Sequence, residues 1–346
     1  MRTVYLVLSC DTDPDRPGFL DGPTNAPLTW RGMTEGIPAV KQLVRGVSDS
    51  AGREPVFTWF LRADEQMQRV YGDYAAIART QHALLRSLAG SGDELGWHPH
   101  FWRREGDNGR WFQEVEDIEW QLDMLRQAHR DLAAVLPGGP QSVRMGWAYH
   151  NTRSYGELEA LGLHVDCSAL PGYRTYRGSP PTRGENYFDW HATPRQPFRP
   201  SRADHRRPPR ATEGAFRLLE APSYMASSLP WSLVSGVQLG RKTGDFGLLW
   251  DAVRRPTYCI NVTARAMLFA PLVAELRRAM RRPGTDPILF STQFHADELV
   301  PNRSRLYRIH SLRENIEALV RACHEADTRV EFVQALRIPA LWAGSV

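Results

Sequence analysis

Two acidic residues and two histidines define the chemistry open to this chain. Asp11 and Asp13 lie in the run SCDTDPD, and His98 and His100 in ELGWHPHFW. Each pair is spaced i, i+2, which on an extended backbone turns both side chains to one face. Each also follows an apolar run, where a strand would end. Carboxylate and neutral imidazole suit zinc, and also cobalt, manganese, nickel or iron. Asp-rich turns are common after strands, and His-x-His pairs occur in cores and on surfaces. Two such pairs at two strand ends together point to one divalent metal ion, zinc first among the candidates.

Three further residues end apolar runs. His295 closes PILFSTQFH, where an imidazole of ordinary pKa, about 6.5, is suited to proton transfer near neutrality. The alternative there is a solvated histidine, with Asp297 and Glu298 as the acidic first turn of a helix. Arg144 lies in VRMGW and Asp166 in VDCS. A buried arginine needs an acidic partner, and Asp166 is a candidate for Arg144. The aromatic residues beside these runs offer a wall on which a sugar ring can stack. Trp102, Trp147 and Tyr149 are the expected substrate contacts.

The elements that must position these residues alternate. Strands are expected at 3–9, 55–61, 94–97, 141–145, 163–167, 218–221, 287–294 and 330–333. Helices are expected at 36–47, 74–88, 112–136, 154–161, 269–281 and 312–327. This order implies a parallel α/β sheet. In a parallel barrel the C-terminal strand ends carry the active site, and the Asp11/Asp13 and His98/His100 pairs, Arg144, Asp166 and His295 fall at such ends. The pattern continues on both sides of residues 171–213, so one closed or nearly closed barrel is expected over 1–346. That segment is rich in Pro and Gly and holds nine Arg against four acidic residues. It reads as an insertion loop, either on the surface or folded across the barrel mouth, where Arg195, Arg199 and Arg202 could meet an anionic group.

Composition narrows the function. Lys and Arg number 43 against 39 Asp and Glu, a net charge of +4. Only Lys41 and Lys242 are lysines, and no nucleic-acid module is recognisable, so no nucleic-acid partner is expected. Cys10, Cys167, Cys259 and Cys323 lie far apart and form no CxxC pair, so neither a disulfide framework nor a cysteine zinc site is expected. The first apolar run is too short for a signal peptide and leads straight into Asp11. No run approaches the ~18–20 apolar residues of a membrane span. A cytoplasmic protein is expected; the oligomeric state is open.

Taken in order, the runs resemble the motifs of the polysaccharide deacetylases (the NodB-homology proteins, carbohydrate esterase family 4). SCDTDPD resembles the acidic first motif and DELGWHPH the histidine motif. VRMGW resembles the arginine motif, SYGELEALGLHVDCSAL the helix-Gly-strand leading to Asp-x-Ser, and STQFHADEL the strand ending in the catalytic histidine. The resemblance spans essentially the whole chain and implies a distorted TIM-like (β/α) barrel. It also implies a metal-dependent hydrolase that removes an N- or O-acyl group from a sugar or glycan precursor. Asp11 would be the general base, and Asp13, His98 and His100 the metal ligands. His295 would be the general acid, and Arg144 would orient Asp11. Asp166 would pair with Arg144 or fix the neighbouring wall. Thr12 separates aspartates that are adjacent in the common pattern, so Asp11 and Asp13 could exchange roles. Trp102 stands where the common pattern has its second histidine, so His100 must serve. Two alternatives remain: hydrolysis of another linear or cyclic amide, and a carbohydrate-binding barrel without turnover.

Overall fold

A computed structural model describes residues 2–16, 24–107, 109–177, 187–284, 286–300 and 306–342. Residues 17–23 of the Gly/Pro-rich stretch and 178–186 of the insertion lie outside the described residues.

The sheet is built around β1 (Thr3–Thr12), a strand apolar at most positions and buried along nearly its whole length. A parallel strand covered on both faces requires such a sequence. Along one edge it pairs with β9 (Ile288–His295), from Val4 opposite Ile288 to Asp11 opposite His295. Its other edge is shared. β10 (Arg329–Phe332) pairs with Thr3 to Leu6, and β2 (Phe57–Arg62) with Leu8 to Thr12. Beyond β2 come β3 (Glu94–His98), β6 (Ser142–Val143), β7 (Val165–Asp166) and β8 (Leu219–Glu220), all parallel. A separate antiparallel hairpin joins β4 (Trp102–Arg104) to β5 (Trp111–Gln113).

The sheet curls into a barrel of the expected (β/α) type, and other backbone completes its wall. Between β8 and β9, the Tyr224 N–H donates to the Ser291 carbonyl at 2.8 Å. Phe198 pairs antiparallel with Glu220. The Gln196 carboxamide bonds both the N–H and the C=O of Leu289, at 2.8 and 3.2 Å. Residues 196–198 of the insertion therefore belong to the barrel wall, where the sequence suggested a surface or mouth loop.

The helices are α1 (Ile37–Leu43), α2 (Glu65–Tyr71), α3 (Ala76–Thr80), α4 (His82–Gly90), α5 (Ile118–Ala133) and α6 (Thr152–Ala160). They continue with α7 (Leu229–Thr243), α8 (Gly247–Arg254), α9 (Ala266–Arg281), α10 (Ile309–Glu325) and α11 (Ile338–Trp342). Their apolar stripes cover the sheet: α5 buries Leu122, Leu125, Ala128 and Leu132, one face at helical spacing.

Two expectations on elements change. The helix over 112–136 starts only at Ile118, where the Asp117 carboxylate accepts the Trp120 N–H at 3.1 Å. Residues 111–113 form β5, with Trp111 opposite Arg104 and the Arg104 guanidinium over its ring at 5.6 Å. The helix over 74–88 breaks at Gln81. There the Thr80 hydroxyl bonds back to the carbonyls of Ala76 and Ile77, at 3.0 and 3.2 Å, which competes with helix continuation. The α7–α8 hairpin carried no expectation at all.

Candidate active site

Register brings the chemistry together. Because β1 and β9 run parallel with Asp11 opposite His295, their ends deliver both side chains to one side of the barrel mouth. Likewise β2 and β3 set Arg62 opposite His98. The residues meet in a cavity of about 240 Å³ lined by Asp11, Asp13, His98, His100, Arg144 and His295.

Asp13, His98 and His100 are all buried and form a set able to hold one metal ion. The His98 Nδ1 lies 2.7 Å from the Arg144 carbonyl oxygen. A carbonyl only accepts, so Nδ1 carries the proton and the Nε2 lone pair faces the cavity. His98 Nε2 stands 3.0 Å from His100 Nε2. His100 Nε2 is 3.8 Å from Asp13 Oδ1, and His98 Nε2 is 3.9 Å from Asp13 Oδ2. Two atoms bound to one zinc at 2.0–2.1 Å can be at most ~4.2 Å apart, and all three separations satisfy that limit. Burial, then the positive charge of Arg62, pushes the His100 imidazole well below its ordinary pKa, so it stays neutral. Burial pushes the Asp13 carboxyl up, but Arg16 and Arg62 outweigh it and hold the group well below the usual carboxylate range. The His98 Nε2, a neutral His100 imidazole and an ionised Asp13 carboxylate are a donor set that fits a divalent cation.

Asp11 sits beside this set. The Arg144 guanidinium donates to Asp11 Oδ1 at 3.0 Å, to Ser9 Oγ at 2.8 Å and to the Cys167 carbonyl at 3.0 Å. Asp11 Oδ2 is left toward His98 Nε2 at 3.9 Å and His295 Nε2 at 3.8 Å. On the far side, His295 Nδ1 lies 3.2 Å from Glu298 Oε1. Burial disfavours the charged imidazole, but the hydrogen bond to Glu298 and the charges of Glu298 and Asp11 outweigh it, and His295 is pushed up to about 9. It therefore carries a proton at neutral pH. Glu298 is itself held by Asn261 and Thr263, and Asp297 accepts from Arg16 at 2.9 Å. Both acids are buried and partnered, not the exposed first turn of a helix.

Several expected contacts fall elsewhere. Asp166 does not reach the Arg144 side chain. Its Oδ2 lies 2.7 Å from His150 Nε2, and its Oδ1 accepts from Ser168 Oγ, which in turn accepts the Met145 N–H at 2.8 Å. Asp166 thus braces the wall beside Arg144, the second of its two expected placements. Of the three aromatic contacts, only Trp147 lines the cavity. Trp102 is buried behind His100, rings stacked with centroids 6.3 Å apart. Tyr149 is buried against Phe101, edge to face at 5.9 Å. Aromatic character showed that these rings needed apolar contact but not on which side. Phe188, from the insertion, does reach the cavity. Arg195, Arg199 and Arg202 bond instead to Ser227, the Arg217 carbonyl and Glu159.

Sequence reasoning missed four site residues. Arg62, only 3% exposed, binds Asp13, Asp64 and Gln66 at once. Arg16 pairs with Asp297 and stands 3.7 Å from Asp13. Glu298 anchors His295. Gly146 gives His100 its place: a Cβ there would lie 2.0–2.2 Å from the His100 ring. The available signals were the charged residues at or just after strand ends, in FLRAD and DTDPDR, and the glycine within the arginine motif. Trp147 and Ala148 follow Gly146 in left-handed conformation, at φ 57° and 54°, a costly pair for residues with a Cβ. Hydrogen bonds from Gly146 N–H to the Pro99 carbonyl and from Trp190 Nε1 to the Ala148 carbonyl, at 2.8 and 2.7 Å, hold that turn.

Arg62 is a direct test of this wiring. Replacing it with Met leaves Asp64 buried without its cation and Asp13 with Arg16 alone, at 3.7 Å. The expected loss is ~3–5 kcal/mol of unfolding free energy in denaturant titration. A loss of only ~0–1 kcal/mol, the worth of a surface pair, would contradict it.

The barrel with its acids and histidines at the strand ends is the polysaccharide-deacetylase type of fold. No protein-family model matches the chain, and no curated protein matches it. Among solved structures it is similar to a candidate polysaccharide deacetylase from Mycobacterium smegmatis. The TM-score is 0.52 at 15% identity, covering 99% of this chain and 91% of that one. It is also similar to a candidate glycoside hydrolase/deacetylase from Parabacteroides distasonis, with a TM-score of 0.58 at 13% identity, covering 100% and 72%. At such identities the likeness is one of fold.

Proposed function

We propose that this chain is a metal-dependent hydrolase that removes an N- or O-acyl group from a sugar or glycan precursor. The observation that carries this reading is the arrangement around one cavity. A donor set for one divalent ion (Asp13, His98, His100) lies beside a carboxylate held by arginine (Asp11), with a protonated histidine (His295) across from it. A divalent cation held by that set, zinc first among the candidates, would lower the pKa of bound water toward ~7 and polarise an acyl carbonyl.

The chain's own residues supply the rest. Asp11 Oδ2, free of Arg144, is the oxygen available to accept a proton from water. Arg144 fixes the Asp11 rotamer through Oδ1. His295 Nε2–H is the donor for a leaving amine or alkoxide, and Glu298 keeps Nδ1 bonded so that Nε2 points into the site. Met145, Trp147, Ala148, Leu170 and Phe188 form the apolar part of the lining, against which an acyl methyl or a sugar face can rest.

The test is acid release. Metal-loaded protein incubated with N- and O-acetylated amino sugars is expected to liberate acetate. No release from any of them at full metal occupancy would contradict the reading.

The pH profile gives a second test. A general acid works only while protonated, so kcat falls as pH rises through the His295 pKa. That value is about 9 without an ion. A cation nearby disfavours the imidazolium, so the alkaline limb is expected at or below about 9. His295→Gln is expected to lower kcat by ~10²–10⁴ on amide substrates and to abolish the limb. A limb that persists unchanged in the variant would assign it to another group.

A further inference from the structure

The α7–α8 hairpin plays no part in the chemistry above, yet its surface is unusual. Among the described residues, the seven exposed large apolar side chains all fall between residues 229 and 306. Three belong to α8 and its N-cap: Phe246 at the cap, Trp250 and Val253 on the helix, exposed by 62, 67 and 44%. Their spacing, i, i+4 and i+7, puts them on one stripe. The opposite face, Leu248 and Ala252, is buried. It packs on α7 at Gly236, where an added Cβ would lie 3.0 Å from the Ala252 Cβ. Helix α8 is thus apolar on its inner face and on its outer one. Leu229 and Val234 of α7 are exposed as well.

Charge narrows what can cover this surface. The hairpin's acids are turned inward. Asp251 accepts from Arg174 at 2.7 Å, and Asp245 accepts the Gly247 N–H at 2.9 Å, each half-buried. Arg241, Arg254 and Arg255 are exposed at the rim. A second copy of this chain would set these arginines against each other. An anionic bilayer surface complements both the apolar stripe and its basic rim. We propose that α7–α8 is a membrane-docking hairpin that lays Phe246, Trp250 and Val253 into the interface of a bilayer containing anionic lipid.

The hairpin is tied to two segments that lead to the cavity. Ser232 Oγ of α7 accepts the Thr257 N–H at 3.1 Å, in the segment that leads to Asn261. Arg174 ties α8 to the segment that begins at Leu170, and both Leu170 and Asn261 line the cavity. The proposal does not depend on the hydrolase reading.

The experiment is co-sedimentation of the full chain with vesicles of phosphatidylcholine alone or mixed with phosphatidylglycerol. Binding is expected to the mixed vesicles and to weaken with salt. Phe246→Ser/Trp250→Ser is expected to lower the partition coefficient at least ~10-fold, with metal content and thermal midpoint unchanged. Arg241→Glu/Arg254→Glu, both solvent-exposed, is expected to remove the preference for anionic lipid. No binding to the mixed vesicles would overturn the proposal, as would equal binding by the Phe246/Trp250 variant. A concentration-dependent dimer abolished by the same substitutions would overturn it too, by showing a second copy as the occupant.

Discussion

Asp11→Asn is expected to lower kcat by ~10²–10⁴ and to leave about one divalent ion bound per chain. Asparagine keeps the volume and an oxygen that can still accept from Arg144, so neither packing nor that buried guanidinium is disturbed. What is lost is the basicity of Oδ2, the atom that faces His98 and His295 at 3.9 and 3.8 Å. Asp13→Asn is expected to do the reverse and empty the metal site, because Asp13 belongs to the buried donor set with both histidines. The two variants separate base from ligand, which the spacing of Asp11 and Asp13 around Thr12 leaves exchangeable. Should Asp11→Asn release the metal while Asp13→Asn retains it, the two roles are reversed.

Gly146→Ala is expected to weaken metal binding by ~10²-fold or more, beyond the effect of altering residues that merely support a ligand. The backbone at Gly146 is not in the left-handed region, so alanine is allowed by conformation and excluded only by space. Its Cβ would lie 2.0 Å from His100 Cδ2 and 2.2 Å from Nε2. Trp102 stacks on the ring from one side, and the Asp64 carboxylate accepts the His100 backbone N–H at 3.0 Å and fixes the main chain that carries it. Metal affinity by competition with a chelator measures the loss. The double variant Gly146→Ala/His100→Ala removes the clash and is expected to regain the parent's thermal midpoint without regaining metal. A Gly146→Ala protein with parental affinity would show that His100 has another place to go.

The parts of this site legible in the sequence were those fixed by strand periodicity. A strand sets side-chain direction every second residue, so Asp11/Asp13 and His98/His100 could be paired from spacing alone. Strand ends could be placed from apolar runs, which is why Arg144 and His295 were found. The alternation of elements gave the barrel. The parts not legible depend on contacts between elements distant in sequence. Glu298 becomes a partner of His295 only because Asn261 and Thr263 close over it; locally it is one acid of two after a strand. Arg62 and Gly146 matter through Asp13 and His100, which lie far away in the chain. Trp102 and Tyr149 show the limit of residue type: an aromatic beside a motif wants apolar contact, and the core satisfies it as well as a substrate. Gln196 illustrates the same limit for composition. An Arg- and Pro-rich stretch reads as a loop, yet a single carboxamide in it can satisfy both backbone groups of a strand residue and complete a barrel wall. The α7–α8 hairpin escaped because glycines at its contact and apolar residues on its outer face blur the amphipathic period.

The central claim is that Asp13, His98 and His100 hold one divalent ion. The measurement that tests it most directly is the metal content of purified protein against that of His98→Ala/His100→Ala, each after incubation with zinc and removal of excess. About one ion per chain in the parent and none in the double variant is the predicted result. A parent that holds no metal, or a double variant that holds as much as the parent, would contradict the account.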